Sequence, residues 1–230
     1  MSHSDRITPL WTALRVIVWK DLTTELRSRE LLSGMLLFSV SVLLIFNFAL
    51  ELNARSRAEA AAGILWSTLI FAGTLGLNRS MASEKEQGGM DGLLLAPMDR
   101  SAIYFGKMIA NWLLMMVVAG VTGLLYSILY NQPLTQPGLW LVFALGSLGY
   151  VAAGTLLAAM TVQTRARELL LPILLLPLLF PLLMAAVRSS MGFLQGLPFE
   201  EFAQSVHLLI GIDGLFIALG YLLFDFVMAE

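Results

Sequence analysis

The chain has 230 residues, 58% hydrophobic and only 13% charged, with mean hydropathy +0.80 and a net charge of −2. Soluble domains carry nearer ~25% charged residues, so lipid rather than a globular core must solvate most of this surface. The near-neutral balance points away from nucleic acid, and the absence of cysteine excludes disulfides, thiolate metal sites and a cysteine nucleophile.

The segment before Leu31 is polar or amphipathic. No small-residue cleavage site follows the first apolar run, so insertion through uncleaved helices is expected. Within Pro9–Arg29, the residues Leu10, Leu14, Ile17, Val18, Leu22 and Leu26 share one face at helical spacing, and Lys20, Asp21, Glu25 and Arg27, with Arg6 just before the segment, lie largely elsewhere. Trp11 and Trp19 are of the type favoured at headgroup level. The pattern predicts a helix lying in the membrane interface, with a simple polar leader as the alternative.

A spanning helix needs ~20 mostly apolar residues. Residues 31–50 and 60–78 satisfy this without a charge, and Arg55 and Arg57 between them read as solvated loop charges. From Lys107 to Arg165 there is again no charge, but Pro133, Pro137 and Gly138 divide the stretch at a turn. Spans are therefore expected at 108–130 and 139–164, then at 169–187 and 206–228. Eleven Lys and Arg residues fall before the first span, between the second and third, and between the fourth and fifth; only Arg55, Arg57 and Arg188 fall opposite. The positive-inside rule places the richer set, and both ends of the six-span array, in the cytoplasm.

The richest cytoplasmic interruption is Arg79–Lys107. Arg79–Gln87 can continue the second span as a helix, with Glu84, Lys85 and Glu86 in water. Gly88 and Gly89 break it. Met90–Ala96 then makes a short helix that carries Asp91 and the run Leu93, Leu94, Leu95, and Pro97 ends it. Asp99 is placed to cap the next helix, which enters the membrane through Ser101–Lys107. An ordinary solvated linker is the bland alternative, but three consecutive leucines in water call for a bilayer or a partner protein to cover them.

The fifth span carries Pro172, Pro177 and Pro181, each of which removes a backbone hydrogen bond and tends to kink the helix. Either a packing change in transport or a static kink accommodates them. Arg188–Ser205 is expected as an outer connection, with a short re-entrant or interfacial helix around Pro198–Phe202. In the sixth span Asp213 is an intramembrane carboxylate, costly by at least ~2.5 kcal/mol, and so a functional candidate beside a helix-packing role. Gly211, Gly214 and Ala218 are expected to allow close helix contact. Asp225 can reach water. His207 is a candidate axial haem ligand, with a polar interfacial anchor as the alternative.

There is no glycine-rich phosphate loop followed by Lys and Ser or Thr, no H-E-x-x-H and no G-x-S-x-G elbow. The chain reads as a non-enzyme, without a metal site, driven by something that docks on its cytoplasmic face.

Four segments carry a resemblance to a known family. They are Lys20–Glu30, the stretch FAGTLGLNRSMASEKEQGGMDGLLLAPMDRSAIYFGKMIANWL, the proline-rich LLLPILLLPLLFPLLMAAV, and GYLLFDFVMAE. In this order and at this length, they resemble the CcmB-type permeases of the cytochrome c maturation system. Gly88–Gly92 is more glycine-rich than the corresponding turn of that family.

The resemblance implies an all-α ABC exporter permease with six spans, working in haem delivery or release at the bacterial inner membrane. It implies a separate CcmA-like ATPase that binds the ATP, a second permease copy, and CcmC-like and CcmD-like membrane partners, with haem in the complex. It also implies that 79–100 is the segment that couples to the ATPase, through Glu84, Glu86, Met90, Asp91 and Leu93–Leu95. The alternatives are an exporter permease for a drug, lipid or polysaccharide, and a non-transporting scaffold for an ATPase.

Overall fold

The computed structural model describes residues 8–49, 54–86, 88–130, 136–161, 164 and 167–227. Every regular element among them is an α-helix: α1 (Leu10–Ser28), α2 (Glu30–Ala49), α3 (Ala54–Glu86), α4 (Gly89–Leu95), α5 (Arg100–Tyr130), α6 (Pro137–Thr161), α7 (Arg167–Leu194) and α8 (Phe199–Val227). Six of them, α2, α3, α5, α6, α7 and α8, contain stretches long and apolar enough to cross a membrane. The expected turn at 131–138 falls mostly outside the described residues; Pro137 opens α6, where its missing N–H costs nothing.

Local chemistry fixes the turns. Arg29 adopts φ 55° between α1 and α2 and donates its N–H to the Glu25 carbonyl at 2.6 Å. Glu25 Oε1 accepts the Leu32 N–H at 2.7 Å, which satisfies one open donor at the start of α2. Asp99 caps α5 as expected, accepting the Ser101 N–H at 3.2 Å. Gly196, at φ 65°, ends α7: it donates to the Phe193 carbonyl while Leu197 donates to the Gly192 carbonyl, the paired bonds of a Schellman motif.

Helices α3 and α6 are the innermost. Glycines on both let large side chains approach: Trp66 presses on Gly146, Leu77 on Gly154 and Tyr150 on Gly73. The polar tips are satisfied inside the bundle, as lipid requires. Trp66 Nε1 donates to Ser190 Oγ at 2.9 Å, and the Tyr150 hydroxyl donates to the Ile70 carbonyl at 3.0 Å. Helix α2 packs at the periphery on α3 and α5, and α7 and α8 pack on α6.

At 33 and 31 residues, α3 and α5 exceed a ~20-residue span, and both overshoot at the end that carries α4. Cross-links cluster there: Arg79 with Glu30, Lys107 with Glu84, and Arg100 with the Asp225 carbonyl at 3.1 Å. Trp66–Ser190 and Phe193–Phe202 lie at the other end, so α1 and the close of α8 share one end, as the charge distribution predicts.

Four expectations differ from the structure. The outer connection is short: α7 runs through Arg188 to Leu194, and Phe199–Phe202 is the first turn of a continuous α8, not a separate re-entrant helix. Arg55 and Arg57 belong to the first turn of α3 rather than to a loop. Gly211, Gly214 and Ala218 face outward; a methyl group at Gly211 or Gly214 would meet nothing within 4 Å, and the close approaches use Gly149 and Gly220 instead. Helix α1 forms, but its expected apolar face is divided, with Leu10 and Leu26 exposed. Ala13, Leu14 and Ile17 are buried on α5, with Ile17 against Gly106. An opposite stripe of Trp11, Trp19 and Leu26 is exposed.

Candidate functional site

The short helix α4 lies in the chain between the end of α3 and the start of α5 and packs on α3. Gly88, at φ 67°, makes the break after α3, a conformation that glycine adopts without strain. Among the leucines of α4, Leu95 is 86% exposed, whereas Leu93 is half-buried against the bundle core. The sequence pattern treated the three as equivalent. The side chains of Met90, Asp91 and Leu94 lie outside the described ones. Glu86 is exposed at the last turn of α3.

Glu84 does not sit in water. It turns inward and joins a ring of four charges with Lys20, Asp21 and Lys107. Lys20 Nζ lies 2.6 Å from Glu84 and 3.1 Å from Asp21; Lys107 Nζ lies 2.9 Å from Asp21 and bonds directly to Glu84. Each lysine therefore bridges the same two carboxylates, and signs alternate around the ring. Lys107 is buried to 1% exposure. An ammonium so placed is tolerated only when paired and hydrogen-bonded. Burial works against the charge on Lys20, but its hydrogen bond to Glu84 and the charges of Asp21 and Glu84 outweigh it and hold its pKa above the ordinary lysine value.

The ring reaches α4 as well. The Glu84 carboxylate rests against Gly89 so closely that a Cβ there would overlap it. The other end of α4 is tied to the start of α1, where the Thr8 N–H donates to the Pro97 carbonyl at 2.9 Å. Beside the ring, a cavity of about 300 Å³ opens between α1, α3 and α5. Thr24, Ser80, Ser83 and Asn111 line it, and the buried Asn111 Nδ2 has no hydrogen-bond partner among the described residues.

The remaining sequence candidates are scattered. Asp213 is buried on α8 against Gly149 of α6, at 4% exposure. Pro172 is half-buried, while Pro177 and Pro181 are exposed, opposite the buried stripe Leu171, Leu175, Leu179 and Leu182. All three stay within one continuous helix. His207 is exposed on α8, and no group of three His, Cys, Asp or Glu able to hold a metal occurs among the described residues.

Lys20, Asp21, Lys107 and Asn111 were not legible as a site. In the sequence Lys107 counts only as the last charge of the helix that enters the membrane, although its position at the head of a long charge-free run is a usable signal.

Residues 12–224, from α1 to the last turns of α8, match the family described as CcmB protein. The chain belongs to the CcmB family. Three bacterial relatives carry the name Heme exporter protein B. That of Rhodobacter capsulatus is 30% identical over 189 residues, covering 81% of this chain and 86% of the relative. That of Pseudomonas aeruginosa is 28% identical over 173 residues, covering 75% and 77%. That of Escherichia coli K12 is 26% identical over 202 residues, covering 81% and 87%. The CcmB match takes in all six spanning helices, α4 and the charge ring, so the whole bundle is a single family unit.

Proposed function

We propose that this chain is the membrane-spanning permease subunit of an ABC-type haem exporter of the bacterial cytoplasmic membrane, acting in cytochrome c maturation and driven by a separate ATPase. The observation that carries this reading is the CcmB match across the whole bundle, with an exposed leucine on a short helix between two spans. The sequence has no nucleotide-binding loop, so ATP is bound and hydrolysed by the partner.

The partners that fit are a CcmA-like ATPase at α4, a second copy of this chain, and CcmC-like and CcmD-like membrane proteins. Leu95 and Glu86 present the docking surface, with Met90, Asp91 and Leu94 on the same helix-loop segment. Leu93 acts from behind it, as a support, and Glu84 turns inward to the charge ring. Haem belongs to the complex as cargo. His207 lies outside the bundle, so an axial role for it requires the second donor to come from a partner.

Asp213 and the α7 prolines are the intramembrane candidates for the transport step. Neither carboxyl oxygen of Asp213 has a hydrogen-bond partner among the described residues. A buried unpaired acid is costly, which favours a use beyond packing.

The test is purification of the native complex with identification of its subunits and bound haem, repeated with Leu95→Asp. Because Leu95 is exposed, that variant is expected to insert and fold normally and to lose the ATPase. Normal co-purification of an ATPase with Leu95→Asp would count against α4 as the docking helix. Loss of c-type cytochromes on deletion, with other exports intact, separates haem work from export of a drug, lipid or polysaccharide.

A further inference from the structure

We propose that the ring of Lys20, Asp21, Glu84 and Lys107 is the joint through which movement of α4 reaches the membrane helices, making these four positioning residues of the transport cycle. The inference rests on α4 being the docking helix and extends that reading to how the docking is transmitted.

Three observations carry it. The ring joins separate elements: Lys20 and Asp21 on α1, Glu84 on α3 and Lys107 on α5. Glu84 is also in contact with the backbone of Gly89, the first residue of α4, so a shift of α4 toward α3 must displace that carboxylate. The segment leading into α1 is also bonded to the segment that leaves α4, through the Thr8 N–H and the Pro97 carbonyl. A push on α4 therefore reaches the α1 segment by two routes, Glu84 of the ring and the Thr8–Pro97 bond, and the ring passes it to Lys107, the residue next to Gly106 of α5, on which Ile17 of α1 packs.

The chemistry suits a movable joint better than a fixed one. Buried charges give little net stability, because desolvation offsets their attraction, and apolar side chains of similar size would hold three helices at least as firmly. Each lysine bridges two carboxylates, so one bond can open while the other holds. The adjoining cavity of about 300 Å³, lined by hydroxyls and by the Asn111 Nδ2, which has no partner among the described residues, gives an opened charge polar surroundings. The ring can thus rearrange without leaving an ammonium bare in the bundle.

The deciding experiment replaces the ring by an apolar quartet, Lys20→Met, Asp21→Leu, Glu84→Met and Lys107→Met, in the full complex. The cytoplasmic side keeps nine of its Lys and Arg residues against three opposite, so topology is retained. The expected result is normal co-purification of the ATPase and unchanged or raised thermal stability. The yield of haem-bearing c-type cytochrome is expected to fall at least about tenfold, because the joint no longer moves.

A yield within about twofold of wild type would overturn the proposal, since a merely structural ring is replaceable in this way. Loss of the ATPase from the quartet would overturn it too, because the ring would then build the docking surface rather than transmit from it. Should the quartet not accumulate, Gly89→Ala decides: it keeps all four charges but displaces Glu84, and a fall of about threefold in yield with the ATPase still bound is expected. Wild-type yield in that variant would overturn the proposal. Failure of the unaltered chain to bind any ATPase would instead remove the docking reading, and this inference with it.

Discussion

The carboxylate of Asp213 on α8 lies against the backbone of Gly149 on α6, and a Cβ at Gly149 would overlap Asp213 Oδ1 and crowd Leu182. The glycine leaves room for both the acid and Leu182. Gly149→Ala is therefore expected to destabilise the α6–α8 contact by about 1–3 kcal/mol, the usual cost of overpacking. Thermal melting of the detergent-purified protein measures it. In an Asp213→Ala background the same substitution should cost less, because half the clash has gone. An equal cost in both backgrounds would show that Leu182 alone sets the constraint.

Much of the fold is legible in the sequence because membrane spans announce themselves by length and lack of charge, and prolines and glycines punctuate them. Six spans, the short helix before Pro97 and the Asp99 cap all follow from that. Helix faces do not. In lipid, the face turned to a neighbour and the face turned to hydrocarbon are both apolar, so hydropathy cannot tell that Gly211 and Gly214 look outward while Gly149 looks inward. The end of the fifth span was misjudged for a related reason. A single Arg188 reads as a boundary, yet a long side chain on the last turns of α7 can reach the interface while its backbone stays helical. The charge ring was hidden because it joins residues as far apart as Lys20 and Lys107, and periodicity reports only local neighbours.

Glu25 makes a prediction about the α1–α2 turn. Its side chain is buried at 7% exposure and its Oε1 takes the Leu32 N–H at 2.7 Å. Glu25→Ala leaves that donor open and should lower stability by about 0.5–2 kcal/mol, as loss of a helix cap does. Glu25→Gln keeps an acceptor at the same reach and should recover a large part of the loss. Melting curves of the two variants side by side provide the check; equal destabilisation would mean that charge, not the cap, is what matters.

The prolines of α7 are predicted to trade stability for movement. Pro177 and Pro181 point away from the buried stripe, so alanine there disturbs no packing and restores two backbone N–H donors. Each replacement should raise stability by about 1 kcal/mol, below the full penalty of proline in a soluble helix because neighbours already relieve part of it. The yield of c-type cytochrome is expected to fall in the double variant. Raised stability with unchanged yield would reduce the prolines to a static bend.

Lys20 supplies a pH test with a definite sign. Its pKa is raised above 10.5 by Glu84 and Asp21 against the effect of burial. A raised lysine value means that folding favours the charged form, so the contribution is complete below the unfolded-state pKa and is lost as pH climbs through the folded one. The difference in melting temperature between the wild type and Lys20→Met should therefore stay constant from about pH 7 to about pH 9 and shrink only above the ordinary lysine range. Added salt should reduce it, because the Lys20 side chain is 40% exposed and its attraction to Asp21 and Glu84 is screened. A difference that already fades near neutral pH would place the dependence on another group and detach Lys20 from the stability of the ring.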